Sequence, residues 1–214
     1  MKMFSGAGNR LCAMRFSNAI FCLCLLAVVG CKPSSVSSDK ELVKFVQDED
    51  NGLKKKIAVG DLEITLTYRP TDLLVAQEVG GEKTPEKISA ARKKYNGNYY
   101  FVLSLSKSGR EALHQTDNFG QYSELVQKLS FRLPEFANMT TAAQDTIPVA
   151  DFILNRTYGL ASSTDLLVVF NKEKALGKEW VQFNLNEFGM NTGNARFRFR
   201  TWDLENCPRL AAVN

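Results

Sequence analysis

Apolar and polar residues alternate with a period of two in several stretches of the chain, which is the pattern of half-buried strands. Residues 62–68 show it most clearly, with leucine, isoleucine and tyrosine on one face and mostly acids or threonines on the other. Val59-Gly60-Asp61 predicts a hairpin turn from a partner strand over 55–58. Further strands are predicted over 99–106, 166–170, 181–185 and 195–199, the last two joined antiparallel by Asn191-Thr192-Gly193-Asn194.

Three other segments carry helix signals. Thr84 followed by Pro85 is typical of a helix start, and apolar residues then recur at helical spacing as far as Tyr95. A second helix is predicted over 72–79, closed by Gly80-Gly81, and a third over 122–129. The predicted fold class is therefore α+β, mainly an antiparallel β-sheet or sandwich with two or three short helices in its first half.

The first thirty residues differ from the rest of the chain. Residues 1–18 contain three basic and no acidic side chains, and residues 19–29 are all apolar. Eleven residues of helix rise about 16 Å, roughly half the hydrocarbon core of a bilayer. That length is typical of a signal peptide rather than of a membrane span. We therefore expect residues 1–30 to be a signal peptide, with Met1 or Met14 as its start.

The apolar run ends in Val28-Val29-Gly30-Cys31, which resembles the lipobox of bacterial lipoproteins. The resemblance implies cleavage between Gly30 and Cys31, a diacylglycerol on the Cys31 thiol and acylation of the new amine. Two or three acyl chains are enough for stable anchoring. The alternatives are an ordinary signal peptide with an incidental cysteine and a short membrane anchor. Lys32 stands where aspartate favours the inner membrane in enterobacterial lipoproteins, so the resemblance favours the outer membrane.

Removal of the signal changes the charge and the cysteine content. The full sequence has 27 basic and 23 acidic side chains and a net charge of +4. Without residues 1–30 it has 24 and 23, a net charge of +1. Nucleic-acid binding, which needs a concentrated positive surface, loses its main support. Three of the five cysteines leave with the signal, so no intrachain disulfide framework is expected. Cys207 is expected to be buried, with an intermolecular thiol as the alternative.

The remaining chain is predicted to hold one domain. Residues 31–40 are polar and rich in serine, which is typical of a tether that keeps a folded body near its membrane. Residues 41–214 show no internal repeat and no second linker. They predict a single β-rich globular domain.

The search for a catalytic site is mostly negative. The chain has no Gly-x-Ser-x-Gly elbow, no phosphate loop and no His-Glu-x-x-His. His114 is the only histidine, so a Ser-His-Asp triad would have to combine it with a serine of segment 104–108; a solvated histidine is the favoured interpretation. The acidic turn Asp48-Glu49-Asp50 lacks the spacing of a calcium loop. We expect no catalytic residue, no metal and no cofactor, although enzymatic activity stays an open question.

Three arginines form the first candidate binding site. Arg196, Arg198 and Arg200 alternate with apolar residues, so they project from one strand face about 7 Å apart. They predict a ladder for an anionic partner such as a lipid headgroup, a polysaccharide or an acidic protein. The alternative, which we favour, is the solvated face of an edge strand, where charge discourages sheet-to-sheet aggregation.

Two tryptophans form the second candidate site. Trp180 and Trp202 are candidates for a platform that stacks on glycan rings, although aromatic residues at strand spacing more often pack in a core. Trp180 is the better candidate, because alternation places it on the face of Gln182 and Asn184, opposite Val181.

Two segments, DLEITLTYRPTDL at 61–73 and YYFVLSLSK at 99–107, resemble uncharacterised lipoproteins of Bacteroidota-type bacteria. The resemblance implies a location and no activity. Lys32-Pro33-Ser34-Ser35 lacks the acidic signal associated with surface export in that group, so a periplasm-facing orientation is expected. The first hypothesis is a lipid-anchored, non-catalytic envelope lipoprotein that binds a partner protein or has a structural role. The alternatives are a glycan-binding envelope protein and a hydrolase with dispersed carboxylates.

Overall fold

The computed structural model describes residues 34–81 and 83–211. The predicted signal peptide with Gly30 and Cys31 lies outside these residues. In the part of the chain that the structure describes, no helix combines the length and the apolar composition needed to cross a membrane.

The described residues form short helices and mainly antiparallel strands. The strands are β1 (Ser35–Val36), β2 (Lys54–Val59), β3 (Leu62–Tyr68), β4 (Asn98–Lys107), β5 (Arg110–Glu111), β6 (Ala137–Thr141), β7 (Thr146–Pro148), β8 (Asp151–Asn155), β9 (Thr164–Asn171), β10 (Trp180–Leu185), β11 (Ala195–Arg200) and β12 (Arg209–Leu210). The α-helices are α1 (Asp39–Gln47), α2 (Thr71–Val79), α3 (Pro85–Tyr95), α4 (Phe119–Phe131), α5 (Leu133–Phe136) and α6 (Thr201–Glu205). Single 3₁₀ turns cover Glu49–Asn51, Ala112–Gln115 and Glu173–Ala175.

Two antiparallel sheets form a sandwich. The larger sheet has the order β2-β3-β4-β9-β8, with β5 paired to the end of β4, and the smaller sheet has the order β11-β10-β6-β7. A separate ribbon pairs β1 with β12 in parallel. The predicted α+β class with an antiparallel sandwich is confirmed, as are the β2–β3 hairpin and the antiparallel β10–β11 pair. Gly60 turns the hairpin with φ +60°, a conformation that glycine adopts without strain.

One apolar core lies between the sheets. Phe101 of the larger sheet contacts Phe199 of the smaller sheet with ring centroids 5.2 Å apart, and Phe170 contacts Phe183 at 5.7 Å. Each of these rings is at most 1% exposed. The alternating strands β3, β10 and β11 therefore behave as predicted, because they turn their apolar face inward and their more polar face outward.

Helices α2 and α3 form a hairpin over one end of the outer face of the larger sheet. The ring of Tyr95 in α3 lies 5.9 Å from that of Tyr100 in β4, and Tyr100 and Val169 are each 7% exposed on this face. The predicted helix start is confirmed: the Thr84 hydroxyl accepts the Lys87 N–H at 3.3 Å, and Pro85 follows it.

The folded body begins earlier than the predicted tether allowed. β1 and the start of α1 lie within residues 31–40. Ser38 is the N-cap of α1 and accepts the Glu41 N–H at 3.3 Å, while Glu41 Oε2 accepts the Ser37 N–H at 2.9 Å. The Ser-x-x-Glu spacing is that of a capping box, with Glu41 accepting from Ser37, the residue before the cap, instead of from Ser38 itself. Serines that suggested a flexible segment therefore include a helix cap.

Candidate functional site

The outer face of the smaller sheet carries the candidate site. In β11 the apolar residues are buried and the arginines are exposed. In β10 and β6 the residues that share this face are polar or aromatic and half-buried. We call this surface the arginine face, and it comprises Arg196, Arg198, Arg200, Trp180, Gln182, Asn184, Asn138 and Thr140.

The centre of the arginine face is a stack of Arg198 on Trp180. The guanidinium carbon of Arg198 lies 4.0 Å from the centroid of the indole ring, which is a close cation–π contact. The same guanidinium donates to Gln182 Oε1 from Nε at 3.3 Å and from Nη2 at 3.0 Å. The arginine is therefore held flat against its own sheet.

Side-chain amides continue the network across the neighbouring strands. Gln182 Nε2 donates to Asn184 Oδ1 at 2.8 Å, and Asn184 Nδ2 donates to Asn138 Oδ1 at 2.9 Å and to Thr140 Oγ1 at 3.3 Å. Planar groups in mutual contact lose little further freedom when a ligand binds, so the face is pre-organised.

The three arginines are not equivalent. Arg200 Nε donates to Asp203 Oδ2 at 2.8 Å, and Asp203 is 4% exposed at the start of α6. That hydrogen bond raises the pKa of Arg200 above its ordinary value. For Arg196, among the described residues, no ion pair or hydrogen bond of the guanidinium is found. Within the part of the chain that the structure describes, Arg196 and Arg198 thus leave the face with two positive charges that are not in an ion pair.

The structure places the two candidate tryptophans differently. Trp180 shares the face of Gln182 and Asn184, as the alternation predicted, and one side of its ring is covered by Arg198. Trp202 lies on α6, just after β11, and is 57% exposed. A ligand that stacks on Trp180 would therefore approach its other side or displace the arginine.

The single histidine lies beside a carboxylate at another place in the fold. His114 Nε2 is 3.5 Å from Glu111 Oε2. Glu111 is 4% exposed and accepts hydrogen bonds from the Thr157 hydroxyl and from the Ala161 N–H, the latter at 2.9 Å. Desolvation raises the pKa of Glu111, but these hydrogen bonds outweigh it and the net shift is downward. Sequence reasoning missed this pair, although the i, i+3 spacing of glutamate and histidine was visible.

The serine segment and the acidic turn considered in the sequence form hydrogen bonds within the fold. The Ser106 hydroxyl donates to the Ser162 carbonyl at 2.7 Å. In the acidic turn, Asp48 Oδ1 accepts the Asp50 N–H at 3.1 Å and caps a 3₁₀ turn. Within 34–81 and 83–211, no group of three or more His, Cys, Asp or Glu side chains is arranged to hold a metal ion.

Comparison with known proteins finds a distant likeness in structure. No family model and no curated protein matches the chain. The match is to the crystal structure of a DUF4426 family protein from Pseudomonas aeruginosa PAO1, with 11% sequence identity and a TM-score of 0.35. The match covers 69% of this chain and 91% of the other.

Proposed function

We propose that the protein is a lipid-anchored lipoprotein of the cell envelope that binds an acidic partner protein through the arginine face. The location rests on the lipobox resemblance, with Cys31 as the attachment point. The binding role rests on one observation: an outer sheet face with two unbalanced arginines, of which Arg198 is fixed by Trp180 and Gln182. Outer-membrane attachment facing the periplasm remains part of the proposal.

The chain geometry supports a body held close to the membrane. β1 begins at Ser35, four residues after Cys31, and four residues span at most about 14 Å. A binding face on such a body would meet partners that are themselves near the membrane. Arg196 and Arg198 would attract an acidic surface over about 8–10 Å at physiological ionic strength.

The anchor is tested by the substitution Cys31→Ala followed by fractionation. The parent protein is expected with membranes and the variant in the soluble fraction, because the thiol that would carry the lipid is gone. A variant that fractionates with membranes like the parent would contradict the anchor and leave the binding face untouched.

The partner is tested by photo-crosslinking in intact cells. A crosslinking residue at Thr146, which is exposed beside Thr140 on the same face, is expected to trap an envelope protein. The double variant Arg196→Gln/Arg198→Gln should lose the adduct. The matched control Arg110→Gln/Arg156→Gln, which removes two exposed arginines from another part of the molecule, should keep it. Adducts that survive the first pair would refute the proposed face.

A second candidate function is glycan binding, because Trp180 lies beside a run of planar amides on the same face. Trp180→Ala and Trp202→Ala should then abolish retention on envelope polysaccharides in affinity electrophoresis. Retention that depends on Trp180 and survives Arg196→Gln would favour the glycan over the acidic protein. Unchanged retention in both tryptophan variants would reject glycan binding.

A further inference from the structure

The segment that joins β8 to β9, residues 156–163, lies over a small cleft, and we call this segment the strap. The side chains that line the cleft include His114, Tyr122, Val126, Leu154 and, from the strap, Tyr158. A methyl group added at Gly159 would lie 3.8 Å from His114 Cγ, so the strap backbone passes close to the imidazole. The cleft has a volume of about 10 Å³, which is the space of a single water molecule. Nothing larger can enter while the strap is in place.

Burial contributes little to holding the strap in place. None of residues 156–163, all of which the structure describes, is buried. Tyr158 is 71% and Leu160 92% exposed, and the Leu160 N–H donates to the Thr157 carbonyl within the strap itself at 3.1 Å. Segments with few buried contacts have low local stability and can open while the rest of the domain stays folded.

One carboxylate makes most of the hydrogen bonds that attach the strap to the body. The Thr157 hydroxyl and the Ala161 N–H both donate to Glu111 Oε1, the latter at 2.9 Å, and the Gly159 N–H also stabilises the charge of Glu111. At the far end of the strap, the Ser106 hydroxyl donates to the Ser162 carbonyl at 2.7 Å. Three residues of the strap therefore depend on a single acceptor group.

The backbone of the strap opposes the closed position. Tyr158 has φ +54° and Gly159 has φ +83°. Glycine adopts such angles without strain, but a tyrosine adopts them at a cost in conformational energy. The hydrogen bonds to Glu111 therefore hold the strap closed against this cost.

The base of the attachment is rigid. Glu111 is 4% exposed and pairs with Ser106 of β4, and the Leu113 N–H donates to the Thr164 hydroxyl of β9 at 3.3 Å. His114 Nε2 lies 3.5 Å from Glu111 Oε2, the oxygen that the Thr157 hydroxyl and the Ala161 N–H do not use. The carboxylate thus keeps its position and one neighbour when the strap moves away.

We infer that the strap is a lid that opens and closes over this cleft, with the Glu111 carboxylate as its latch. Opening uncovers the imidazole of His114 and the apolar side chains of Tyr122, Val126 and Leu154. Closing is driven by the hydrogen bonds to Glu111, since the strap buries no side chain of its own. This device is separate from the arginine face and does not depend on the proposed function.

Hydrogen–deuterium exchange of the purified full-length chain at pH 7, followed by mass spectrometry, tests the latch. Glu111→Gln keeps the shape of the side chain and removes its charge. Exchange in a peptide over 157–163 should rise about tenfold, which is the factor expected from the loss of one hydrogen bond to a charged group. A peptide over 165–171 in β9 should exchange as in the parent. The matched control Glu135→Gln, at an exposed glutamate in α5, should change neither peptide.

Thr157→Val is a second test of the latch that leaves Glu111 and His114 intact. It removes one hydrogen bond from the strap side, and a strap that moves as a unit should then exchange faster at the Leu160 N–H, which does not contact Glu111. An equal rise in the strap and in β9 would show a general loss of stability and would overturn the latch. Unchanged exchange in the strap in both variants would overturn it as well.

Uncovering of the cleft is measured by Val126→Cys, which places a thiol beneath the strap. In combination with Glu111→Gln, the rate at which iodoacetamide labels position 126 should rise about tenfold. Labelling of Cys207, which lies outside this cleft, should keep its rate and serves as the internal reference. A strap that exchanges faster while position 126 stays protected would show fraying without opening, and the lid would be refuted.

Discussion

The two outer faces of the sandwich differ in what covers them. On the larger sheet, the α2–α3 hairpin covers one end, so Tyr100 and Val169 are buried although they point away from the main core. On the smaller sheet, β10, β11 and β6 carry amides, a hydroxyl and arginines that bond to one another across the strands. The first face gains stability from burial, and the second remains in contact with water.

The difference separates residues that fold the protein from residues available for binding. The ring of Tyr100 packs against Tyr95 of α3. The side chains of the arginine face form hydrogen bonds only with neighbours on the same sheet, and their outer surface contacts solvent. Substitutions on the covered face should therefore cost mostly stability. Substitutions on the open face should cost little stability and, under the proposed function, mostly binding.

The largest loss of stability is expected from a substitution in the core between the two sheets. Phe183 is fully buried and contacts Phe170 at 5.7 Å and Phe197 at 6.3 Å. Phe183→Ala should lower the free energy of unfolding by about 3–5 kcal/mol, because it removes a ring and leaves a cavity between the sheets. Urea unfolding followed by circular dichroism measures this. Phe119→Ala, at a residue 80% exposed, should change it by less than about 0.5 kcal/mol. Similar losses in both variants would contradict a core at Phe183.

The second prediction compares the faces directly. Tyr100→Ala should cost about 3 kcal/mol, because it removes a buried ring from beneath α3. Asn184→Ala should cost only about 1 kcal/mol, the usual net contribution of its hydrogen bonds. The same urea measurement serves both. Equal losses of unfolding free energy in the two variants would mean that the open face contributes as much to folding as the covered face. That result would contradict the difference between the faces.

The third prediction concerns the loop that joins β10 to β11. Glu187 Oε1 accepts the N–H groups of Gly189, Met190 and Asn191 at 2.6, 2.7 and 3.0 Å, and Oε2 accepts that of Gly193 at 2.7 Å. Desolvation raises the pKa of Glu187, but these bonds outweigh it and lower the pKa overall.

Glu187→Gln should therefore destabilise the protein by about 1–2 kcal/mol at pH 7, because an amide accepts with only one atom. The carboxylate has a lower pKa in the folded state than in the unfolded chain. Its contribution is thus complete above the unfolded pKa, near 4.5, and disappears as the pH falls through the folded pKa. Unfolding measured from pH 7 to pH 3 should show the two proteins converging. A constant difference over that range would mean that charge has no part in the effect.

Local patterns predicted six strands, which are β2, β3, β4, β9, β10 and β11, and three helices, which are α2, α3 and α4. They did not predict the shorter strands or helices α1, α5 and α6. Alternation predicted β3, β4, β10 and β11 because a sheet with one wet face exposes every second residue. It also placed Trp180 on the face of Gln182 correctly. The tether over 31–40 was assigned from composition, and composition does not register a cap such as Ser38, whose role depends on Glu41 three residues later.

The strap and its latch could not be predicted from the sequence. Glu111 lies 46 residues before Thr157 and 50 before Ala161, and no periodic pattern joins them. The fold brings them together because β5 and the strap both contact Ser106 of β4. The arginine face was predictable in part, since its spacing is local. The stack of Arg198 on Trp180 depends on the register of two strands.

The smallest expected effect is the coupling between Arg198 and Trp180. Their stack lies at the surface, so a double-mutant cycle of Arg198→Met and Trp180→Leu should give an interaction free energy of about 0.5–1 kcal/mol. The Gln182 hydrogen bonds are lost in both Arg198 variants of the cycle and therefore cancel. Unfolding in urea at low and high salt measures the coupling. A value near zero would mean that the arginine is held by Gln182 alone; the indole would then be available on both sides, which would favour the glycan over the acidic protein as the ligand of this face.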